Sequence, residues 1–176
     1  MKYKVIDNFL DEEYFDSLVT FFIEDGEIQG QPQGPLWYFN PHIVSRPGHK
    51  NYTAKKDKLF YLAHLLYGRQ TPLSPYYDKT IPLLKKLEAV CLIRIKVNLY
   101  PSTEILHEHA AHADFDFPHS GAILSLNTCD GYTKLEDGTK INSVANRILL
   151  FDASKHHCST TTTNVPARIN ININYM

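Results

Sequence analysis

The sequence predicts a mainly β domain with helices toward its N-terminal end, closing late in the chain as a sandwich or small barrel. Three observations carry this. Residues 168 to 175 read RINININY, a strict alternation of isoleucine and asparagine. From residue 91 onward the chain consists of short apolar stretches separated by turn residues. Before residue 91, several stretches instead repeat their apolar residues at helical spacing. Side chains of a strand point alternately to opposite faces, so Ile169, Ile171 and Ile173 share one side, and Arg168, Asn170, Asn172 and Asn174 the other. The isoleucine side is a packing face. The asparagine side is either a solvated outer face or a polar barrel interior with Arg168 at one mouth.

In chain order, KYKVID alternates and opens the fold as a strand. Asp11 then caps a helix in EEYFDSLVTFFIE, whose Phe15, Leu18, Val19 and Phe22 recur on one face. Residues 25 to 36 carry glycines and prolines and form a loop, followed by WYFNPHIV with the aromatic and β-branched content of a strand. KLFYLAHLLY and YYDKTIPLLKKLEAV read as two more helices. The later strands are CLIRIKVNLY, GAILSLN, GYTKLEDGTKI with a turn at Asp137-Gly138, NRILLF and the final RINININ. In CLIRIKVNLY, Ile93, Ile95, Val97 and Leu99 form the packing face.

A chain of 176 residues fits one domain with a sizeable core, and a net charge of -1 lacks the basic footprint of a nucleic-acid or anionic-membrane binder. A small molecule or a protein segment is the expected partner. Cys91, Cys129 and Cys158 are odd in number, widely spaced and without a C-x-x-C, which argues against disulfides and structural zinc and for reduced thiols in a cytoplasm. The opening MKYKVIDNFLDEE lacks the apolar run of a signal peptide, and no stretch has the length of a membrane span.

Four of nine histidines fall in LHEHAAHADFDFPHS: His107, His109, His112 and His119. The zinc-protease pattern H-E-x-x-H fails, because Ala111 stands where its second histidine belongs. What remains is His112-Ala113-Asp114, whose two ligating side chains share one face of an extended strand. Downstream, NRILLFDASKHHCS supplies His156 and His157, either of which completes a set of two histidines and a carboxylate, the facial triad of non-haem Fe(II) oxygenases. Beyond them comes Arg168. An organic acid that chelates a metal through one end needs a cation for its far carboxylate, and guanidinium provides two parallel hydrogen bonds.

H-x-D at 112 to 114, NRILLFDASKHH, and the arginine of A-R-I-N about ten residues beyond the second histidine together resemble the iron(II)- and 2-oxoglutarate-dependent oxygenases. The likeness is to the prolyl-4-hydroxylase-like branch, and the short chain is similar to its marine bacterial and phage members. The ordered motifs span residues 90 to 176, and KVIDNFLDEE is similar to the start of many such chains. The resemblance implies a double-stranded β-helix, a cupin-like jelly-roll barrel over 91 to 176, with residues 1 to 90 as helical support and substrate loops of one oxygenase domain. It implies Fe(II), with 2-oxoglutarate as cosubstrate and O2, hydroxylation of a peptidyl side chain or small molecule, and release of succinate and CO2.

Matching the family's F-D-x-S-x-P-H to Phe151 and Asp152 puts His156 at the proline and His157 at the ligand, beside His112 and Asp114. Arg168 takes the distal carboxylate of 2-oxoglutarate. Tyr100 matches a tyrosine that reaches the cosubstrate pocket, and Asn98 shares its face. Ser125 stands where the branch often has a tyrosine. For His119 a solvated loop position is expected, for Trp37, Tyr38 and Phe39 core packing, and for Cys158 a structural place. The resemblance leaves His107 and His109 without a role, and the loops at 25 to 50 and 68 to 78 as the seat of specificity. The rival reading is a non-catalytic binding module on the same barrel with a structural metal, which has no need of Arg168.

Overall fold

The computed structural model describes residues 2–24, 27–28, 31–32, 34–41 and 59–176. The chain begins with β1 (Tyr3–Ile6), and Asp11 then caps α1 (Glu12–Phe22) by accepting the Tyr14 amide at 3.0 Å. Short strands β2 (Glu27–Ile28) and β3 (Gln31–Pro32) pair with each other, and β4 (Tyr38–Asn40) follows. The rest of the WYFNPHIV stretch, at 42 to 44, and much of the expected specificity loop at 25 to 50 lie outside the described residues.

Next come β5 (Tyr61–Gly68), β6 (Thr71–Pro72), a 3-10 turn at Tyr77–Thr80 and α2 (Ile81–Lys86). β5 is a correction: the sequence reading makes KLFYLAHLLY a helix, and the structure makes it a strand. A nearly continuous apolar run satisfies both periods, so periodicity alone does not choose. Pairing chooses, because β5 lies antiparallel between β4 and β7 (Leu92–Pro101), with His64 and Leu66 buried. The YYDKTIPLLKKLEAV helix is shorter than its sequence span, being the 3-10 turn followed by α2.

The remaining elements are β8 (Ser120–Ser125), β9 (Tyr132–Leu135), β10 (Lys140–Asn142), β11 (Ile148–Asp152), β12 (His157–Ser159) and β13 (Ala167–Tyr175). One antiparallel sheet runs β1-β11-β8-β13-β7-β5-β4, with β6 on β5; a smaller one runs β10-β9-β12. The large sheet has two unlike faces. On the outer one, Ile169, Ile171, Ile173, Ile95 and Val97 pack with Phe15, Leu18 and Phe22 of α1 and Leu83 and Leu84 of α2. On the inner one, Ile123, Leu149 and Phe151 meet Leu135 and Ile141 of the small sheet in a second, smaller core. Asn170, Asn172 and Asn174 are buried on that inner face. The asparagine side of β13 is therefore interior, between two facing antiparallel sheets of jelly-roll type.

Candidate metal and cosubstrate site

His112 and His157 are 45 residues apart in sequence and directly opposite in space. Each backbone amide donates to the other residue's carbonyl at 2.9 Å, an antiparallel bridge that points both side chains the same way. Their rings lie 4.9 Å apart. Asp114, two residues along from His112, is held by its amide on the Ala153 carbonyl at 3.1 Å. The potential ligand atoms of His112, Asp114 and His157 all lie within 4.8 Å of one another. Each histidine Nε2 is 3.9 Å from an Asp114 oxygen. Nδ1 of His157 faces the Lys155 carbonyl at 3.0 Å and Nδ1 of His112 the Ala110 carbonyl at 3.4 Å. Such partners favour the proton on Nδ1 and leave Nε2 as the lone-pair donor.

The charge state fits a cation. Burial, reinforced by His157, pushes His112 down to about 4, and burial also lowers His157, so both are neutral ligands at neutral pH. For Asp114, burial acts upward, but the charges of Arg94 and Lys96 and the Asn174 hydrogen bond outweigh it and hold the carboxyl well below its usual range. Arg94 Nη2 reaches one Asp114 oxygen at 2.6 Å and Asn174 Nδ2 the other at 2.9 Å. These two orienting residues escape notice in the sequence reading; the only signal for Asn174 is its place on the amide face of β13.

Arg168 is 1% exposed, and its Nε donates to Ser143 Oγ at 2.6 Å and Nη2 to Thr133 Oγ1 at 2.9 Å. Nη1 is buried and has no hydrogen-bond partner among the described residues. No carboxylate is bonded to this guanidinium among the described residues, and burial lowers its pKa. A buried cation with an unmade hydrogen bond is costly, and an incoming carboxylate would satisfy both needs. The donor set of His112, Asp114 and His157 likewise fits a divalent metal with open positions.

Tyr100 lies directly across β7 and β13 from Arg168, whose guanidinium carbon is 5.7 Å from its ring centre. Burial pushes its phenol up, so it stays protonated. Asn98, one row further, donates to Asn170 Oδ1 at 3.2 Å and keeps a buried, unpartnered Oδ1. Ser125 pairs with Asn170 on β8. His109 is buried with its ring 5.2 Å from that of Tyr100 and Nδ1 3.1 Å from Ser159 Oγ.

His156 stays apart, its exposed ring 3.8 Å from Glu136. His119 corrects the expectation of a solvated loop histidine: it is buried against Phe115 and Phe117, with Nδ1 2.8 Å from the Phe117 carbonyl. Tyr38 and Phe39 are exposed and only Trp37 packs on the core, which corrects the expectation of core packing for the first two. Cys158 is buried. A cleft of about 640 Å³ between Lys2, Pro118, Leu150 and Met176 contains none of the trio.

No protein-family model and no curated protein matches this sequence. Solved structures do. The chain is similar to a prolyl hydroxylase from Trichoplax adhaerens in complex with a hypoxia inducible factor oxygen degradation domain peptide fragment, at TM-score 0.63 and 14% identity, over 99% of this chain and 83% of that one. The fold is that of the prolyl-hydroxylase-like 2-oxoglutarate oxygenases. The oxygenase fold also aligns, at TM-score 0.59 and 16% identity over 99% and 77% of the chains, with the non-heme alpha ketoglutarate dependent epimerase SnoN from nogalamycin biosynthesis. HygX from Streptomyces hygroscopicus, with nickel and 2-oxoglutarate bound, aligns at TM-score 0.57 and 11% identity over 98% and 82%. No helix among the described residues is long and apolar enough to cross a membrane.

Proposed function

We propose that this chain is a single-domain Fe(II)- and 2-oxoglutarate-dependent dioxygenase that hydroxylates a peptidyl side chain or a small molecule, releasing succinate and CO2. The observation that carries this is the buried Arg168 guanidinium with its unpartnered Nη1. A structural metal site needs no such group. The three free cysteines suit a reducing cytoplasm, and the absence of net positive charge gives no reason to expect nucleic acid or a membrane surface.

His112, Asp114 and His157 would hold the iron, and Arg168, with Tyr100 and Asn98 alongside, the cosubstrate. Iron(II) with 2-oxoglutarate supplies the oxidation of a C–H bond by O2, one oxygen atom entering the substrate and the other succinate. The protein's own contribution is positional. Arg94 and Asn174 fix both oxygens of Asp114, so its orientation is set before the metal arrives. Ser143 and Thr133 fix the guanidinium and leave Nη1 for the far carboxylate of 2-oxoglutarate. The Tyr100 ring lies beside Arg168, its centre 5.7 Å from the guanidinium carbon.

The test is calorimetric titration of 2-oxoglutarate into Mn(II)-loaded protein. A charge-assisted hydrogen bond contributes about 1.5–3 kcal/mol, so Arg168→Ala should weaken 2-oxoglutarate binding roughly ten- to a hundred-fold with metal affinity unchanged. Arg168→Lys should recover part of the loss. In the same assay His157→Ala should lose the metal and His156→Ala should keep it. Equal 2-oxoglutarate affinity in wild type and Arg168→Ala would favour the non-catalytic binding module instead.

A further inference from the structure

Lys96 is a half-buried cation whose role the site so far leaves open. It stands on the inner face of β7, in the row between Arg94 and Asn98, opposite Asn172 of β13 on one side and Leu65 of β5 on the other. Its ammonium lies 5.6 Å from the centre of the Tyr61 ring. No ion pair or hydrogen bond to it is found among the described residues. The acid that attracts it is Asp114, both of whose oxygens are already taken by Arg94 and Asn174. Across the register, Asn172 Oδ1 is buried without a partner.

We propose that Lys96 selects the substrate, its ammonium receiving an anionic group, a carboxylate or phosphate. Position separates Lys96 from the far carboxylate of the cosubstrate. Arg168 pairs with Tyr100 in the register, and Lys96 lies one row beyond Asn98 and two beyond Tyr100, toward Asp114, so its backbone is about 13 Å along the strand from the Arg168 row. The far carboxylate of 2-oxoglutarate meets Arg168, and Lys96 faces the other end of the site. Charge points the same way. Arg94 and Lys96 lie beside the single carboxylate of Asp114, Arg168 further along the same face has no carboxylate bonded to it among the described residues, and a divalent metal and a dianionic cosubstrate would cancel each other, so the loaded site would remain cationic. A neutral substrate would leave that excess uncompensated in a partly desolvated site, whereas an anionic one neutralises it. The Tyr61 face that lines the ammonium, itself stacked on Tyr100 at 5.6 Å, holds the cation in place without neutralising it.

This proposal rests on the oxygenase reading, and the experiment separates the two. 2-Oxoglutarate is first titrated into Mn(II)-loaded wild type; absence of binding there sinks the oxygenase reading and this proposal with it. Butyrate, propyl phosphate and uncharged butyramide are then titrated into protein saturated with Mn(II) and 2-oxoglutarate, and broadening of their methyl proton signals reports approach to the paramagnetic metal. At least one anion should bind about tenfold or more tightly than butyramide in wild type. That preference should vanish in Lys96→Met and Lys96→Gln and persist in Lys96→Arg, with 2-oxoglutarate affinity unchanged in all three. Carrying both neutral variants, each checked by thermal unfolding, guards against one that fails to fold. Wild type without a preference for either anion, or a preference that survives Lys96→Met or Lys96→Gln, overturns the proposal. So does a fall in 2-oxoglutarate affinity in these variants matching that of Arg168→Ala, which would make Lys96 a second cosubstrate anchor.

Discussion

Gly131 has no room for a side chain. A Cβ there would lie 2.7 Å from Arg168 Cδ and 2.8 Å from the Thr161 carbonyl oxygen. The second neighbour is backbone and cannot swing away, so the strain falls on the Arg168 side chain, which is also held by Ser143 and Thr133. Overpacking of this kind costs about 1–3 kcal/mol. Gly131→Ala should therefore lower stability by that order in urea unfolding and, more tellingly, weaken 2-oxoglutarate binding in calorimetry although residue 131 never touches the cosubstrate. Unchanged cosubstrate affinity would mean that the guanidinium does not depend on this close approach.

Single elements here carry two jobs at once. β13 presents isoleucines to α1 and α2 and asparagines to the inner face, so a one-residue slip would bury the asparagines among Phe15 and Leu18 and turn the isoleucines toward Asp114. Its register is pinned from both sides, by β7 and β8. The link from sheet to helix is local. Asn146, at φ 59, sits just before β11; its Oδ1 accepts the Leu10 amide at 2.8 Å and its Nδ2 donates to the Leu10 carbonyl at 2.9 Å. That pair fixes the residue preceding the α1 cap. Asn146→Ala strips both bonds and places a Cβ-bearing residue without a polar side chain at positive φ, a loss of about 2–4 kcal/mol in urea unfolding. Asn146→Gly should restore the backbone part only. A loss common to both variants that stayed under about 1 kcal/mol would show that Leu10 is held by packing instead.

For the whole molecule, the buried cluster of His112, Asp114 and His157 is a liability to the metal-free fold as pH falls. His112 has its folded value pushed down to about 4 from an ordinary 6.5, chiefly by burial, and His157 is lowered by burial too. Between those values the unfolded chain binds protons that the folded chain refuses, so stability is full above about 6.5 and is lost as pH falls toward 4. Asp114, also depressed, acts in the same sense at lower pH. Urea unfolding of chelator-treated protein should show stability falling from pH 7 to 4.5, by up to roughly 3 kcal/mol from His112. His112→Asn should flatten the curve, and saturating Mn(II) should steepen it, because the metal needs deprotonated ligands. A metal-free protein equally stable at both pH values would mean that the histidines remain hydrated.

The alternation of RINININY determined the last strand and which residues share each face, because period two has one structural meaning when every second residue is isoleucine; that the asparagine face is interior was decided by the packing of the two sheets. Order along the chain likewise singled out His112, Asp114, a histidine pair and Arg168 as candidates for one site. Tertiary structure decided what local pattern could not. The YLAHLLY part of KLFYLAHLLY is a strand because β7 and β4 pair with it, an outcome that a nearly continuous apolar run does not encode. His157 rather than His156 stands beside His112 because a backbone bridge formed by residues 45 apart turns one ring inward and leaves its neighbour facing Glu136. Arg94 and Asn174 read in sequence as ordinary polar positions of two strands; only the packing of those strands side by side brings their side chains to the one carboxylate of Asp114. Electrostatic partnership depends on separation in space, and the sequence states only separation along the chain.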